Sequence, residues 1–148
     1  MQLKEAIIIL CTGLAFVFTG CNSDAVGEGG PKVLYRAVDK RDTASFKVYF
    51  TQKEFHGQFE INYAGVYKDS GDVNGIIKGD TLMGTFHYQS YGIEKWYRIP
   101  IALLKKDDRL IMGIGSMEIY MNMTFFTKST PIDYQHPKFV LKKCLSGN

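Results

Sequence analysis

Phe55-His56-Gly57-Gln58-Phe59-Glu60-Ile61-Asn62-Tyr63 decides the fold. Its odd positions carry Phe, Gly, Phe, Ile and Tyr, and its even positions carry His, Gln, Glu and Asn. Successive side chains leave a pleated strand on opposite sides, so this alternation marks a strand with one buried face. A slip of one residue would turn the whole apolar set toward water. The aromatic face is therefore expected inside, with Phe59 near its centre.

The same period extends outward. Leu82, Gly84, Phe86 and Tyr88 alternate with Thr81, Thr85, His87 and Gln89, and Ile93, Tyr97, Ile99, Ile101 and Leu103 repeat the pattern. Shorter strands are expected at 34–38, 44–50, 72–78, 109–115, 119–126 and 138–143. Turn-forming residues separate them: Lys40-Arg41-Asp42, Asp69-Ser70-Gly71, Lys78-Gly79-Asp80, Ser90-Tyr91-Gly92 and Asp107-Asp108. No segment has a helical stripe. Eight or nine short strands with short turns predict an all-β antiparallel meander. Gly57, Gly75, Gly84, Gly113 and Gly115 are read as lying inside strands, where glycine marks bulges and sharp corners. Closure also removes exposed edges. A small lipocalin-like antiparallel β-barrel is expected in preference to a two-sheet sandwich. Its interior is expected to be filled by Phe46, Phe50, Phe55, Phe59, Phe86, Phe125 and Phe126.

The N-terminus has a different texture. Lys4 and Glu5 precede an apolar run, Ala6 through Phe18, closed by Thr19, Gly20 and Cys21. This is the layout of a secretory signal peptide; the run is shorter than the ~20 apolar residues that span a bilayer. Three regions follow: 1–20 as signal peptide, 21–32 as a flexible tether rich in glycine and closed by Pro31, and 33–148 as the barrel domain. Phe18-Thr19-Gly20-Cys21 resembles a bacterial lipobox, with Phe18 where Leu is usual. The resemblance implies a diacylglyceryl group on Cys21, cleavage before it, and a membrane anchor made of acyl chains. Cys11 would leave with the signal. Acylation of Cys21 would leave Cys144 single, whereas an unmodified Cys21 keeps a Cys21–Cys144 bridge open.

The part from Cys21 onward keeps 17 basic and 14 acidic residues, scattered along the chain. No basic stripe points to nucleic acid. Gly-x-Ser-x-Gly, His-Glu-x-x-His, phosphate-loop and Cys-x-x-Cys motifs are absent, so neither an enzyme nor a bound cofactor is expected. His56 and His87 fall on the outward faces of their strands, short of the three or four ligands zinc takes. Gly79-Asp80-Thr81 and Asp107-Asp108 read as hairpin tips. Glu94 and Arg98 are four apart, on one face of an expected strand, with Trp96 between them on the same polar face. Trp96, Arg98 and Glu94 are the candidate ligand-binding residues, alongside the reading of Glu94 and Arg98 as a solvated ion pair.

Three segments resemble a group of small hypothetical lipoproteins from flavobacteria and other Bacteroidetes. They are Lys40-Arg41-Asp42-Thr43, the stretch from Tyr67-Lys68-Asp69-Ser70-Gly71 through Gly79-Asp80-Thr81-Leu82 to Phe86-His87-Tyr88, and the ending Phe139-Val140-Leu141-Lys142-Lys143-Cys144. The resemblance implies a cell-envelope lipoprotein and carries no catalytic residue. It also implies that relatives often place a cysteine beside the position of Tyr35, able to pair with the terminal one; here Leu34 occupies that place. Two functions are expected to compete: a structural or interaction barrel filled by its own side chains, and a barrel holding a small apolar or amphipathic ligand. The expected partners are the membrane, through Cys21, and an envelope protein or such a ligand.

Overall fold

The computed structural model describes residues Lys32–Cys144. They form ten strands: β1 (Val33–Asp39), β2 (Asp42–Phe50), β3 (Glu54–Tyr63), β4 (Tyr67–Lys78), β5 (Thr81–Ser90), β6 (Trp96–Lys106), β7 (Arg109–Met112), β8 (Met117–Tyr120), β9 (Met123–Phe126) and β10 (Val140–Lys143). Eight close into an antiparallel barrel in the order β1-β10-β7-β6-β5-β4-β3-β2, and β8 and β9 pair only with each other. The barrel is an up-and-down meander whose seam is made by β10 between β1 and β7. No helix of the described residues is long and apolar enough to cross a membrane.

The alternation of β3 sets the interior. Phe55, Phe59 and Ile61 are buried while His56 and Gln58 are exposed. Across the sheet the inward row runs from Phe46 to Phe59, Gly71, Tyr88 and Tyr97. Phe59 meets Phe46 and Phe86 edge-on, with ring centroids 5.5 and 5.2 Å apart. Phe46, Phe55, Phe59, Phe86 and Phe139 are all fully buried, each ring adding roughly 1.5–3 kcal/mol by leaving water. Phe139 belongs to the expected strand 138–143, but β10 begins only at Val140; Phe139 sits just before it and is buried with Leu141, two residues on.

Two glycines show how tightly the sheet is coiled. A Cβ at Gly71 would overlap the backbone oxygen of His87, and one at Gly84 would overlap that of Asn74 and press on the ring of Phe55. Asp69-Ser70-Gly71 is therefore not a turn, as its composition suggests, but the middle of a strand that starts at Tyr67. The true turn is Ala64-Gly65, both with positive φ (52° and 76°).

The region after β6 departs most from expectation. The stretch 119–126 is not one strand but part of a tight hairpin, β8 and β9, turning at Met121-Asn122 with φ of 49° and 60°. Glycine and asparagine usually fill both places of such a turn, so Met121 hid it. Phe125 and Phe126 lie on this outer hairpin and do not plug the barrel. Nor do Gly113 and Gly115 lie inside a strand. β7 stops at Met112 because the returning segment crosses closely here: a Cβ on Gly113 would strike Ile132 and Tyr134, and one on Gly115 the ring of Phe126.

The barrel has two distinct ends. The near end, where the chain enters at Val33, carries the β2–β3, β4–β5 and β6–β7 turns and the exit at Lys143. The far end carries the β1–β2, β3–β4 and β5–β6 connections and the return into β10.

Candidate functional site

The far mouth is where polar and aromatic groups converge. Gly65 N–H donates to Asn62 Oδ1 at 2.8 Å, and this local bond shapes the turn that folds Tyr67 back onto Tyr63, their rings stacked at 4.4 Å. On the other side Tyr88 stacks on Phe86 at 4.6 Å and on Tyr97 at 5.4 Å. Between them lies Asp69, the one buried charged side chain of the described residues, 9% exposed. It accepts from the Tyr63 hydroxyl at 3.1 Å and from Ser90 Oγ at 2.5 Å. Two neutral donors thus meet a carboxylate that has no ion-pair partner within reach among the described residues. Buried carboxylates need such donors, since an unmet charge in a low dielectric is costly.

That arrangement acts on the phenols. Burial pushes the Tyr63 hydroxyl well above its ordinary range, and the charge of Asp69 and the bond to it push it further. Tyr88 is also raised, first by burial and then by Asp69. Both rings stay protonated donors across neutral pH. Lys138 covers the opening: its ammonium lies 4.8 Å from the Tyr63 ring centre and 5.4 Å from that of Phe139, and it pairs with Asp42 at 2.9 Å. Underneath is a small cavity of about 140 Å³ bounded by Tyr63, Asp69, Phe86, Tyr88, Met112 and Phe139. Outside the mouth, Val66, Tyr67, Tyr91, Ile93 and Trp96 are exposed. A shallow groove of about 500 Å³ runs along this rim past Lys68, Tyr91, Ile93 and Glu94.

The candidate residues from sequence divide at this end. Trp96 opens β6 facing outward, half exposed, with its ring 4.6 Å from that of His87. Arg98 also faces outward, two residues along β6. It sits in a polar row with His87, Asp72 and Gln58, where the Gln58 side-chain amide donates to Asp72. Glu94 does not share their strand: β6 begins at Trp96, and Glu94 belongs to the loop before it, with no ion pair to Arg98. Glu60 pairs instead with Lys68, at 3.2 Å. The structure thus joins Trp96 to His87 and leaves the expected Glu94–Arg98 pair unmade.

His56 stacks on Tyr49 at 5.1 Å, and His136 Nδ1 lies 2.9 Å from Asp133. Among the described residues no group of three metal-ligating side chains comes together. Gly79-Asp80 and Asp107-Asp108 form the expected hairpin tips. Cys21 lies outside the described residues.

Asp69 is the candidate site residue that sequence reasoning missed. Its signal was parity: Asp69, Gly71, Val73 and Gly75 share the inward face of β4, which makes an inward aspartate conspicuous once Asp69-Ser70-Gly71 is no longer taken for a turn.

Comparison with known proteins finds no matching family model, no matching curated protein and no matching solved structure.

Proposed function

We propose that this chain is a lipid-anchored cell-envelope lipoprotein whose barrel works as a structural or interaction body. The observation that carries the reading is the filled interior. Five buried phenylalanines occupy the barrel, and the partly open space beside them at the far mouth is about 140 Å³, below the ~300–1,000 Å³ of pockets for drug-sized ligands. The larger hollows, about 600 Å³ at the near mouth and about 810 Å³ under the outer hairpin, lie outside this phenylalanine core and are open to solvent. Contact with a partner is then made on the outside. The far rim, with Tyr67, Tyr91, Ile93 and Trp96 exposed, has the aromatic character that protein interfaces favour. The anchor rests on the apolar run, the lipobox-like Phe18-Thr19-Gly20-Cys21 and the resemblance to Bacteroidetes lipoproteins.

A second reading, a small amphipathic ligand held at the far mouth, is favoured by one observation: the cavity beside Asp69 offers a carboxylate, phenols and apolar walls together. Native mass spectrometry of the gently extracted protein separates the two. A mass explained by polypeptide and acyl chains alone supports the interaction body; a stoichiometric extra mass that leaves on unfolding overturns it in favour of the ligand.

A further inference from the structure

We propose that the near end of the barrel is a docking face for an anionic phospholipid surface. The described cations are unevenly placed. Lys53 sits in the β2–β3 turn, Lys78 before the β4–β5 turn, and Lys105 and Lys106 before and Arg109 after the β6–β7 turn; Lys142 and Lys143 close β10 beside Lys32, where the chain enters. All eight are exposed. Four carboxylates share this end: Glu54, Asp80, Asp107 and Asp108. The far end has six Lys and Arg (Lys40, Arg41, Lys68, Lys95, Arg98, Lys138) against six carboxylates (Asp39, Asp42, Glu60, Asp69, Glu94, Asp133).

Pairing sharpens the contrast. The ion pairs Lys68–Glu60, Lys138–Asp42 and His136–Asp133 all belong to the far half. Among the described residues, no near-end cation has a carboxylate within 4.0 Å. Backbone bonds nevertheless hold these cations on one face. Lys105 N–H donates to Asp80 O at 2.7 Å, Ile77 N–H to Lys53 O at 2.7 Å and Lys143 N–H to Asp108 O at 2.9 Å. Lys32 and Lys105 rest over the rings of Tyr49 and Phe50, at 5.9 and 6.0 Å. Eight cations held at one end against four carboxylates, with no ion pair among them, leave a net positive field suited to an anionic surface.

The position of the chain selects lipid over other polyanions, and this step rests on the anchor reading above. Ten residues lie between Cys21 and Lys32, a reach of at most ~40 Å when fully extended. Attraction to a charged surface fades within about 10 Å at physiological salt. A tether joined to the near end holds that end closer to the surface than the far one. The far rim then points into the aqueous compartment, free for a partner.

The barrel closes entirely on strands between Val33 and Lys143, so residues 32–148 serve as the anchor-free protein. Cosedimentation is measured with vesicles of phosphatidylcholine alone and of phosphatidylcholine mixed with phosphatidylglycerol. The expected result is binding to the mixed vesicles only, reversed by salt. Lys106→Glu with Lys142→Glu should weaken it by more than ~25-fold, at about fivefold for each lysine removed. Lys40→Glu with Arg41→Glu, at the far end, should change it far less; circular dichroism and melting check that both variants fold. The proposal is overturned by no binding to anionic vesicles, by equal loss from both pairs, or by tighter binding to DNA than to the vesicles at the same salt. If Cys21 proves unacylated while this binding holds, the anchor reading fails and the docking face stands.

Discussion

The amide of Cys144 donates to the carbonyl of Leu34 at 2.8 Å, which continues the β1–β10 register of Tyr35 with Lys143 and sets these two residues side by side on the seam that closes the barrel. Directly opposed residues on antiparallel strands have Cα atoms ~4.5–5.5 Å apart, within the range a disulfide spans.

Leu34→Cys should therefore form an intrachain disulfide with Cys144 under oxidising conditions. The bridge would close nearly the whole described chain into one loop and stabilise the domain by ~2–4 kcal/mol. Intact mass with and without reductant reads the bond, and denaturant melts read the gain. A variant that only dimerises would show that the seam is not packed as described.

The interior packing gives a second prediction. Phe59 is fully buried between Phe46 and Phe86, and Phe59→Ala should destabilise by ~3–5 kcal/mol, a large share of the ~5–15 kcal/mol that holds a domain folded. Gln58→Ala, on the exposed face, loses one solvated bond to Asp72 and should shift stability by about 0.5 kcal/mol. Urea melts of the two variants are compared; equal losses would contradict the two-faced strand.

Alkaline pH tests the far mouth. An unfolded tyrosine ionises near its ordinary value of 10.0, while burial and Asp69 hold Tyr63 protonated well beyond that in the barrel. Above that pH the unfolded chain gives up its proton first, so the stability tied to this group is whole below pH 10 and falls as pH rises further. Tyr88, Tyr35 and Tyr134 are raised too, chiefly by burial, and add to the same slope. Melting temperature should drop steeply above about pH 10, and Tyr63→Phe should make the drop shallower. An unchanged slope would remove Tyr63 from this role.

The outer hairpin is strained at its tip. Met121 and Asn122 both hold positive φ, a conformation that costs an ordinary L residue roughly 1–2 kcal/mol. Met121→Asn combined with Asn122→Gly supplies the residues this turn favours and should stabilise the hairpin locally by about 1 kcal/mol. Slower amide exchange in β8 and β9 is the readout; faster exchange would mean that Met121 makes a contact worth more than the strain.

Anchoring is tested at Cys21. The membrane-extracted protein should exceed the mass of polypeptide 21–148 by at least a diacylglyceryl group, and Cys21→Ser should release the protein from membranes in washes of high ionic strength. High salt matters, because it also dissolves any attachment through near-end lysines. Retention of the Cys21→Ser form in such washes would contradict the anchor.

The fold was legible where the pattern was local. Alternation through Phe55–Tyr63 and Leu82–Tyr88 placed β3 and β5 on the correct faces, and the inward glycines pointed to a closed, tightly coiled sheet. What stayed hidden depends on residues distant in sequence. Asp69-Ser70-Gly71 has turn composition, yet Gly71 is required because the backbone of β5 passes against it. The β8–β9 turn lacks the residues that announce such turns. At the site, Trp96 and Arg98 were placed outward as expected, while Glu94 was assigned to a strand that starts two residues later. The Asp69 cluster joins residues from three strands and needed the register before it became visible.

Gly57, Gly71, Gly75 and Gly84 share one further property: at each, the first carbon of any side chain would collide with the main chain of the next strand. Any other residue at these four places would force the neighbouring backbone to shift. The spacings between them, 14, 4 and 9 residues, are thus tied to where the strands of this barrel pass closest. A chain with those four glycines at the same spacing, and an aspartate two residues before the second, is expected to coil into the same barrel.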